Sequence, residues 1–268
     1  VNWNAIPLGM VERIEIIKGA KSAAYGQSEG GVINIITKKS ADAGELQLTT
    51  GNNDRRQYIF NYGVQTDKLG FRVYANKSEQ DAYLRNSDYD NEQTGINLNY
   101  KLSQTDSLRF NYDHQQLKRG LVIANNTSNF DSRYPISSGD TFANSNAAPE
   151  DGSYTKIYRN NFNVTWNSDR DSGGDSLTYW KNYEKQREHN VNAGKVMFDR
   201  YNVTDKSSGV MYKGNAKVND KHHLGYGVDY KRLRYGYGWY NSNATVTSDG
   251  KIKPAGGELY PSQKLDVW

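Results

Sequence analysis

The sequence predicts an all-β protein built of long antiparallel strands, and three observations support this class. From residue 44 onward, polar and apolar residues alternate through successive segments, as in strands with one polar and one apolar face. Several of these segments run for about 12 to 17 residues, whereas strands usually have roughly 5–6. The connections between them alternate between short and long. Together these features predict a meander of hairpins.

The alternation is clearest in the segment around residue 98. Ile96, Leu98 and Tyr100 share one face, and Asn97 and Asn99 share the other. Two further segments alternate in the same way, with apolar Phe162, Val164, Trp166, Tyr226 and Val228 and polar Asn163, Asn167 and Asp229. Because a slip of one residue would invert both faces, the pattern predicts a fixed register.

Segment and connection lengths distinguish a soluble sheet from a membrane-spanning one. About ten segments follow residue 44: 44–51, 56–65, 70–85, 93–104, 107–123, 154–168, 176–191, 208–219, 222–238 and one from about 262. Short connections at 67–69, 104–106, 169–175 and 220–221 alternate with longer ones at 86–92, 118–153, 192–207 and 239–261, and 52–55 would be a short outer loop. A strand needs about 9–11 residues to cross the hydrocarbon, and membrane barrels have short turns on one side and longer loops on the other. The chain is therefore predicted to form transmembrane β-barrel strands.

The composition agrees with this class. The chain of 268 residues has 21 tyrosines, which argue against disorder and suit the aromatic girdles of a barrel. A mean hydropathy of −0.91 is compatible with a barrel, because only alternate residues face lipid. The net charge is +4 without a basic block, so nucleic acid is not an expected partner, and the absence of cysteine excludes disulfides. The sequence has no apolar run of about 18 residues, so it predicts no transmembrane helix.

The segment 11–39 is the most informative part of the chain. It reads VERIEIIKGAKSAAYGQSEGGVINIITKK, which predicts two strands around a glycine-rich connection. Gly19, Gly26, Gly30 and Gly31 permit positive φ or a close backbone approach at the turns. The spacing fits neither common nucleotide-binding glycine motif, and no long helix precedes the second strand.

This segment resembles the last part of the plug domain of TonB-dependent outer-membrane transporters. The family pattern is close to V-E-R-I-E-V-x-R-G-x-x-S-x-x-Y-G-x-x-x-x-G-G-V-I-N-I-I-T-K; Lys18 stands where Arg is usual, and Ala20 where Pro is common. The resemblance implies the C-terminal part of an α+β plug in residues 1–43. It implies the N-terminal part of the barrel in residues 44–268, about ten strands of roughly 22. Both ends of the chain look cut, so a fragment of a longer polypeptide is expected.

The resemblance also implies a function. We expect active uptake of a scarce nutrient, a ferric siderophore first and cobalamin next, across the outer membrane of a Gram-negative bacterium. The implied partners are a TonB-type energy-transducing complex, outer-membrane lipid and lipopolysaccharide; no enzymatic activity, cofactor or metal site is expected. One rival is a passive porin or structural barrel, which has no need of a plug. Another is a soluble β-rich carbohydrate-binding module, which the long strands disfavour.

Candidate functional residues fall into two groups near the plug and the last long loop. By resemblance, Glu12, Arg13 and Glu15 would anchor the plug to charges on the barrel wall; the alternative is a solvated strand face. Tyr25 would help to form the ligand-facing apex of the plug, unless its ring packs under the turn at Gly26.

The second group lies where a strand passes into the loop at 239–261. Arginines interleaved with aromatic residues can stack on an anionic aromatic ligand and pair with its charge. The alternative is an aromatic girdle at the membrane interface, which is favoured for Tyr235 and Tyr237, whereas ligand or loop packing is favoured for Trp239 and Tyr240. The ligand-binding candidates are Arg232, Arg234, Tyr235, Tyr237, Trp239 and Tyr240.

Overall fold

The computed structural model describes residues 10–19, 30–38, 42–139, 149–192, 194–236, 245–246, 252–253 and 263–267. Two strands precede the long meander: β1 (Val11–Lys18) and β2 (Gly31–Thr37). The meander contains β3 (Ala43–Thr50), β4 (Arg56–Gln65), β5 (Leu69–Gln80), β6 (Tyr89–Lys101), β7 (Asp106–Gly120), β8 (Tyr154–Arg170), β9 (Gly173–Asn192), β10 (Lys195–Asp205), β11 (Ser208–Asn219) and β12 (His222–Gly236). The last strands are β13 (Thr245–Val246), β14 (Ile252–Lys253) and β15 (Gln263–Val267).

Most of these strands form one antiparallel sheet of eleven strands in which sequence neighbours pair. The strand β9 is long enough to pair along one half with β11 and along the other with β10. Because β10 and β11 lie end to end on the same edge of β9, they act as one long strand interrupted at Lys206 and Ser207. Counted in this way, the described sheet has ten successive strands, and the predicted all-β partial barrel is confirmed.

One predicted connection is wrong. Residues 192–207 were expected to form a long outer loop, but β9 runs to Asn192 and β10 begins at Lys195. The chain reverses at Gly194, where φ is 67°. This hairpin extends past the apolar part of the sheet, so neither of its faces has to be apolar. The alternation that identifies a strand in the sequence is therefore absent there.

The register across the sheet brings like residues together, as the alternation predicted. Leu98 pairs with Phe71 on one side and Phe110 on the other, and Phe110 pairs with Val164. On the opposite face, Asn97 pairs with Arg72 and Asn111, and Asn111 pairs with Asn163. Each face is therefore a continuous surface, one apolar and the other polar.

The apolar face is the exposed one. Tyr62 is 47% exposed, whereas its neighbour Asn61 is 1% exposed. The same contrast holds along the sheet: Leu69, Tyr100, Leu108, Leu177, Tyr179, Val210 and Val228 are exposed on the apolar face, and Arg72, Asn91, Gln93 and Gln115 are buried on the polar face. A sheet in a soluble protein would bury its apolar face. An exposed apolar face and a buried polar face are instead typical of a membrane barrel, which has lipid outside and a polar interior. Within the part of the chain that the structure describes, no helix is both long and apolar enough to cross a membrane.

The strands β1 and β2 form a separate antiparallel hairpin. The backbone N–H of Lys38 donates to the Met10 carbonyl (2.7 Å), which extends the pairing beyond both strands. The ammonium group of Lys38 lies 3.6 Å from a carboxylate oxygen of Glu45 in β3. The predicted domain boundary between residues 43 and 44 stays a prediction, and β3 begins beside it at Ala43.

Candidate functional site

The charged residues of β1 form a network within the hairpin. Arg13 donates from Nε to Glu15 (2.9 Å) and from Nη1 to Glu12 (3.1 Å). Asn34, opposite Glu15 on β2, donates from Nδ2 to the other Glu15 oxygen (3.1 Å). These two hydrogen bonds hold the pKa of Glu15 below its ordinary value, and the bond from Arg13 has the larger effect. These charges satisfy one another locally, and anchoring to the barrel wall stays a prediction.

Two of the four predicted turn glycines have the conformation that favours glycine. Gly19 has φ of 84° and Gly31 has φ of 134°. A Cβ atom at Gly31 would lie 2.5 Å from the carbonyl oxygen of Ile17, so the turn admits no side chain there. Gly30 has open space around it. Gly26 and Tyr25 lie outside the described residues.

The polar face of the sheet forms a wall of side chains that bond across strands. Asn111 donates to Asn163 (2.7 Å), and Gln115 donates to Asn91 (2.8 Å). Arg159 on β8 is held by both Nε and Nη2 on one carboxylate oxygen of Glu184 on β9. A charge that is paired across strands in this way fixes the side chain and stiffens the wall. The polar face therefore presents an ordered surface toward the interior.

Two outer connections are joined by adjacent residues of the loop between β5 and β6. Arg85 donates to Asn129 (2.9 Å) and to Asp151 (3.0 Å), one on each side of the next outer loop. Asn86, with φ of 58°, donates from Nδ2 to the carbonyls of Leu121 and Ser153, each at 2.7 Å. Both ends of the long connection between β7 and β8 are therefore hydrogen-bonded to the loop between β5 and β6.

The loop after β7 folds around one asparagine. Asn125 is 0% exposed; its Nδ2 donates to the carbonyls of Asp131 (3.1 Å), Tyr134 (2.7 Å) and Pro135 (3.0 Å). Its Oδ1 accepts from the backbone N–H of Asp131 (2.7 Å). In such a loop the hydrogen bonds of one short polar side chain satisfy several backbone groups, which regular secondary structure would otherwise do. No periodic signal in the sequence marks such a residue.

The exposed surface of this loop carries a cation and apolar side chains. Arg133 is 76% exposed and pairs with Asp131, and its hydrogen bonds lower the pKa of Asp131 to about 2. The Arg133 guanidinium lies over the Tyr134 ring, 5.5 Å from its centroid. Phe130 and Ile136 are exposed beside them. This surface was not predicted from the sequence, although it carries an arginine next to a tyrosine, the same signal that marks the candidates near the loop at 239–261.

The predicted ligand-binding candidates between Arg232 and Tyr240 lie only partly within the described residues. Arg232 and Arg234 stand on the same face of β12 as Val228 and Tyr230, which is the apolar face of the sheet. Arg232 donates from Nη2 to the Tyr230 hydroxyl (3.2 Å). This placement favours the membrane-interface alternative for the two arginines. The backbone of Tyr235 pairs with Gln263 of β15, while Tyr237, Trp239 and Tyr240 lie outside the described residues.

An antiparallel sheet with an apolar outer face and a polar inner wall defines one class: part of an outer-membrane β-barrel protein. Comparison with curated proteins agrees. The chain is 31% identical over 252 residues to the ferric enterobactin receptor of Pseudomonas aeruginosa, covering 84% of this chain and 33% of that protein. It is 26% identical over 223 residues to the ferrienterobactin receptor of Escherichia coli, covering 70% of this chain and 28% of that one. The chain belongs to the TonB-dependent outer-membrane receptor family.

Solved structures show the same fold. The ferripyoverdine receptor of Pseudomonas aeruginosa matches with a TM-score of 0.67 at 16% identity, covering 97% of this chain and 38% of that one. The siderophore receptor PiuA of Acinetobacter baumannii matches with a TM-score of 0.66 at 13% identity, covering 96% and 42%. No protein-family model matches. The chain spans about a third of the length of the curated relatives, and its family places it in the outer membrane of Gram-negative bacteria.

Proposed function

We propose that the protein containing this chain imports a ferric siderophore across the outer membrane, driven by a TonB-type complex. The observation that carries the proposal is the hairpin β1–β2, which has the sequence of a plug end and immediately precedes the barrel strands. A diffusion pore has no reason to retain such a segment. The names of the similar receptors, which specify ferric enterobactin, favour a siderophore as cargo.

Cobalamin is the second candidate cargo. The vitamin B12 transporter BtuB of Vibrio vulnificus is 30% identical over 104 residues, but the match covers only 38% of this chain. The match to the ferric enterobactin receptor is similar in identity and covers 84% of the chain. The longer match extends over more of the barrel, where cargo-binding loops arise, and therefore favours the siderophore.

The energy for transport would come from the TonB-type partner complex. The glycine-rich connection lacks the spacing of a nucleotide-binding loop, so this part of the chain supplies no hydrolytic step. In the proposed cycle the cargo binds from outside, the TonB-type complex pulls on the plug, and the plug rearranges so that the cargo passes. Glu12, Arg13 and Glu15 would hold the plug to the polar wall until that pull.

The proposed cargo site combines the plug apex with the outer loops. Tyr25, Trp239 and Tyr240 would provide aromatic contacts to the chelate. Truncation of an aromatic anchor in a binding site often costs more than about 1–2 kcal/mol, roughly ten-fold in affinity. Trp239→Ala, Tyr240→Ala and Tyr25→Ala should weaken cargo binding by this amount in folded receptor. Tyr230→Ala, on the apolar face, is the matched control and should leave affinity unchanged. Unchanged affinity in all three variants would contradict the proposed cargo site and favour an aromatic girdle at the membrane interface as the role of these aromatic residues.

The function is tested by uptake in a host that lacks its own siderophore receptors. The full-length protein is expressed there, and uptake of radioactive ferric enterobactin and of radiolabelled cobalamin is compared. The expected result is saturable uptake of iron that disappears when the host lacks a working TonB-type complex. Uptake that persists without the complex, in proportion to external concentration, would instead indicate a passive pore. Uptake of cobalamin alone would select the second cargo.

A further inference from the structure

We propose that Asn86, in the loop between β5 and β6, is a positioning residue for cargo capture. Its side chain closes the two ends of the connection between β7 and β8, residues 121–153, which we call the long connection. By closing these ends, Asn86 holds the exposed side chains of the long connection in place before the cargo arrives. The inference rests on the proposed function and adds to it a residue that acts on cargo binding through its neighbours.

The two ends of the long connection meet at Leu121 and Ser153, which follow β7 and precede β8. The backbone N–H of Leu121 donates to the Ser153 carbonyl (3.0 Å). Asn86 donates from Nδ2 to the carbonyls of both residues, each at 2.7 Å, and its Oδ1 accepts from the backbone N–H of Gly152 (3.4 Å). The carboxamide has two N–H donors, and here one group binds both ends of the connection.

The backbone of Asn86 is also fitted to this position. Its φ of 58° lies in the left-handed region, which asparagine adopts several-fold more often than most residues other than glycine. A turn holds this conformation, because the N–H of Ser87 donates to the Leu84 carbonyl and the N–H of Leu84 donates to the Ser87 hydroxyl, each at 3.0 Å. A Cβ atom at Gly120 of β7 would lie 2.1 Å from the Asn86 carbonyl oxygen. Both the backbone and the side chain of Asn86 therefore pack against the end of β7.

Further hydrogen bonds join the long connection to the outer segments on either side. The backbone N–H of Ile123 donates to the Arg85 carbonyl (2.9 Å), which adds a main-chain bond to the loop between β5 and β6. On the other side, the backbone N–H of Val191 in β9 donates to the Ser153 hydroxyl (2.9 Å). The backbone N–H of Glu150 donates in turn to the Val191 carbonyl (2.8 Å). Three successive outer segments thus form one hydrogen-bonded unit, and Asn86 lies at its centre.

The unit presents side chains that suit an anionic aromatic chelate. Phe130 and Ile136 are exposed, and the exposed Arg133 lies over the Tyr134 ring. Rings and a guanidinium can stack on such a ligand. If the ends of the long connection separate, this surface has to be ordered when the cargo binds. The apparent affinity then falls by the fraction of receptors that hold the competent conformation. Asn86 should therefore control cargo capture and leave the later passage unchanged.

The test is Asn86→Gly in the full-length receptor, because glycine keeps the left-handed backbone and removes only the carboxamide. Uptake of radioactive ferric enterobactin is measured over a range of concentrations and divided by the amount of inserted receptor. The half-saturating concentration should rise about ten-fold, equivalent to about 1.4 kcal/mol, which is the size expected for one or two net hydrogen bonds. The maximal rate per receptor should stay native. A variant that only folded less well would lower the amount of receptor and keep the native half-saturating concentration.

The matched control is Asn53→Gly, the same substitution at an exposed asparagine with φ of 57° in the connection between β3 and β4, and it should leave uptake native. Asn86→Asp keeps the size of the side chain, but its carboxylate cannot donate, so it should weaken capture at least as much as Asn86→Gly. If neither Asn86 variant inserts, Arg85→Gln, which loosens the same connection at Asn129 and Asp151, should raise the half-saturating concentration about three-fold.

Two results would overturn the inference, and they differ in what they say about the proposed function. A native half-saturating concentration in the Asn86 variants, beside saturable uptake by the native receptor, would overturn the positioning role alone. If the native receptor takes up cobalamin instead, the same comparison is made with radiolabelled cobalamin and the same outcomes apply. Uptake of neither cargo by the native receptor would contradict the proposed function, and the inference with it.

Discussion

Tyr74 lies directly over Gly95, its partner on the neighbouring strand of the inner wall. A Cβ atom at Gly95 would come within 2.1 Å of Cε1 of the Tyr74 ring, which is buried. The outer face has the same arrangement, since a Cβ atom at Gly214 would lie 2.3 Å from the ring of Tyr226. A glycine inside a strand thus provides the space that an aromatic ring from the next strand fills.

Gly95→Ala is expected to destabilise the barrel by about 1–3 kcal/mol, the usual cost of overpacking a well-filled position. The measurement is urea unfolding of the full-length receptor in lipid vesicles. Gly225→Ala is the control, because that glycine of β12 has no neighbouring atom within 4 Å of the added carbon. Adding Tyr74→Ala to Gly95→Ala should relieve the collision, so the double variant should lose less than the sum of the two single losses. Equal stability of the two glycine variants would contradict this packing.

The plug hairpin should be sensitive to Gly31→Ala and insensitive to Gly30→Ala. At Gly31 the added carbon would meet a backbone carbonyl at 2.5 Å, and φ is 134°, where non-glycine residues are strained. At Gly30 the space is open. We expect faster proteolysis of the plug in the Gly31 variant and a native rate in the Gly30 variant. Identical rates would mean that the turn has another conformation in the full-length protein.

The short-turn end of the sheet should depend on Asp175. Its Oδ1 accepts from the hydroxyls of Tyr212 (2.7 Å) and Tyr226 (2.8 Å), and Arg170 binds its other oxygen. Asp175→Ala removes the acceptor shared by three strands and should lower both the unfolding midpoint and the yield of inserted barrel. Asp171→Ala, in the adjacent exposed turn, is the matched control. If the two variants unfold alike, the tyrosine hydroxyls find equivalent partners in water or lipid headgroups.

The loop around Asn125 should resist mild acid. The hydrogen bonds from Arg133 lower the pKa of Asp131 to about 2, below the ordinary value near 3.8. A carboxylate whose pKa is depressed on folding stabilises the folded loop above its ordinary pKa, and this contribution is lost as the pH falls from about 4 toward 2. The amide protection factors of residues 125–135, which correct for the pH dependence of intrinsic exchange, should therefore be constant between pH 7 and 5. Asp131→Asn should raise exchange throughout that range; equal exchange in the native protein and the variant would contradict the role of this pair.

The strands of the barrel were predictable, and the outer connections were not. Alternation identified the faces of β6, β8 and β12 because lipid requires an apolar side chain at every second position. That requirement ends where strands rise above the membrane, which is why residues 192–207, most of which form β10, do not show the alternation of a strand. The loop around Asn125 was missed for the same reason, since its order comes from hydrogen bonds of one side chain.

The sequence by itself determined the plug-like hairpin, the long antiparallel strands and the side chains that face lipid, because each follows from residues that are neighbours in the chain. Only the tertiary structure decided which side chains meet across strands. The register between strands sets Lys118 beside Lys156, and Tyr74 beside Gly95. The ties from Asn86 to Leu121 and Ser153 join positions 35 and 67 residues away. Local periodicity fixes the face of a residue, whereas its partner is set by the backbone hydrogen bonds and turn lengths of the whole sheet.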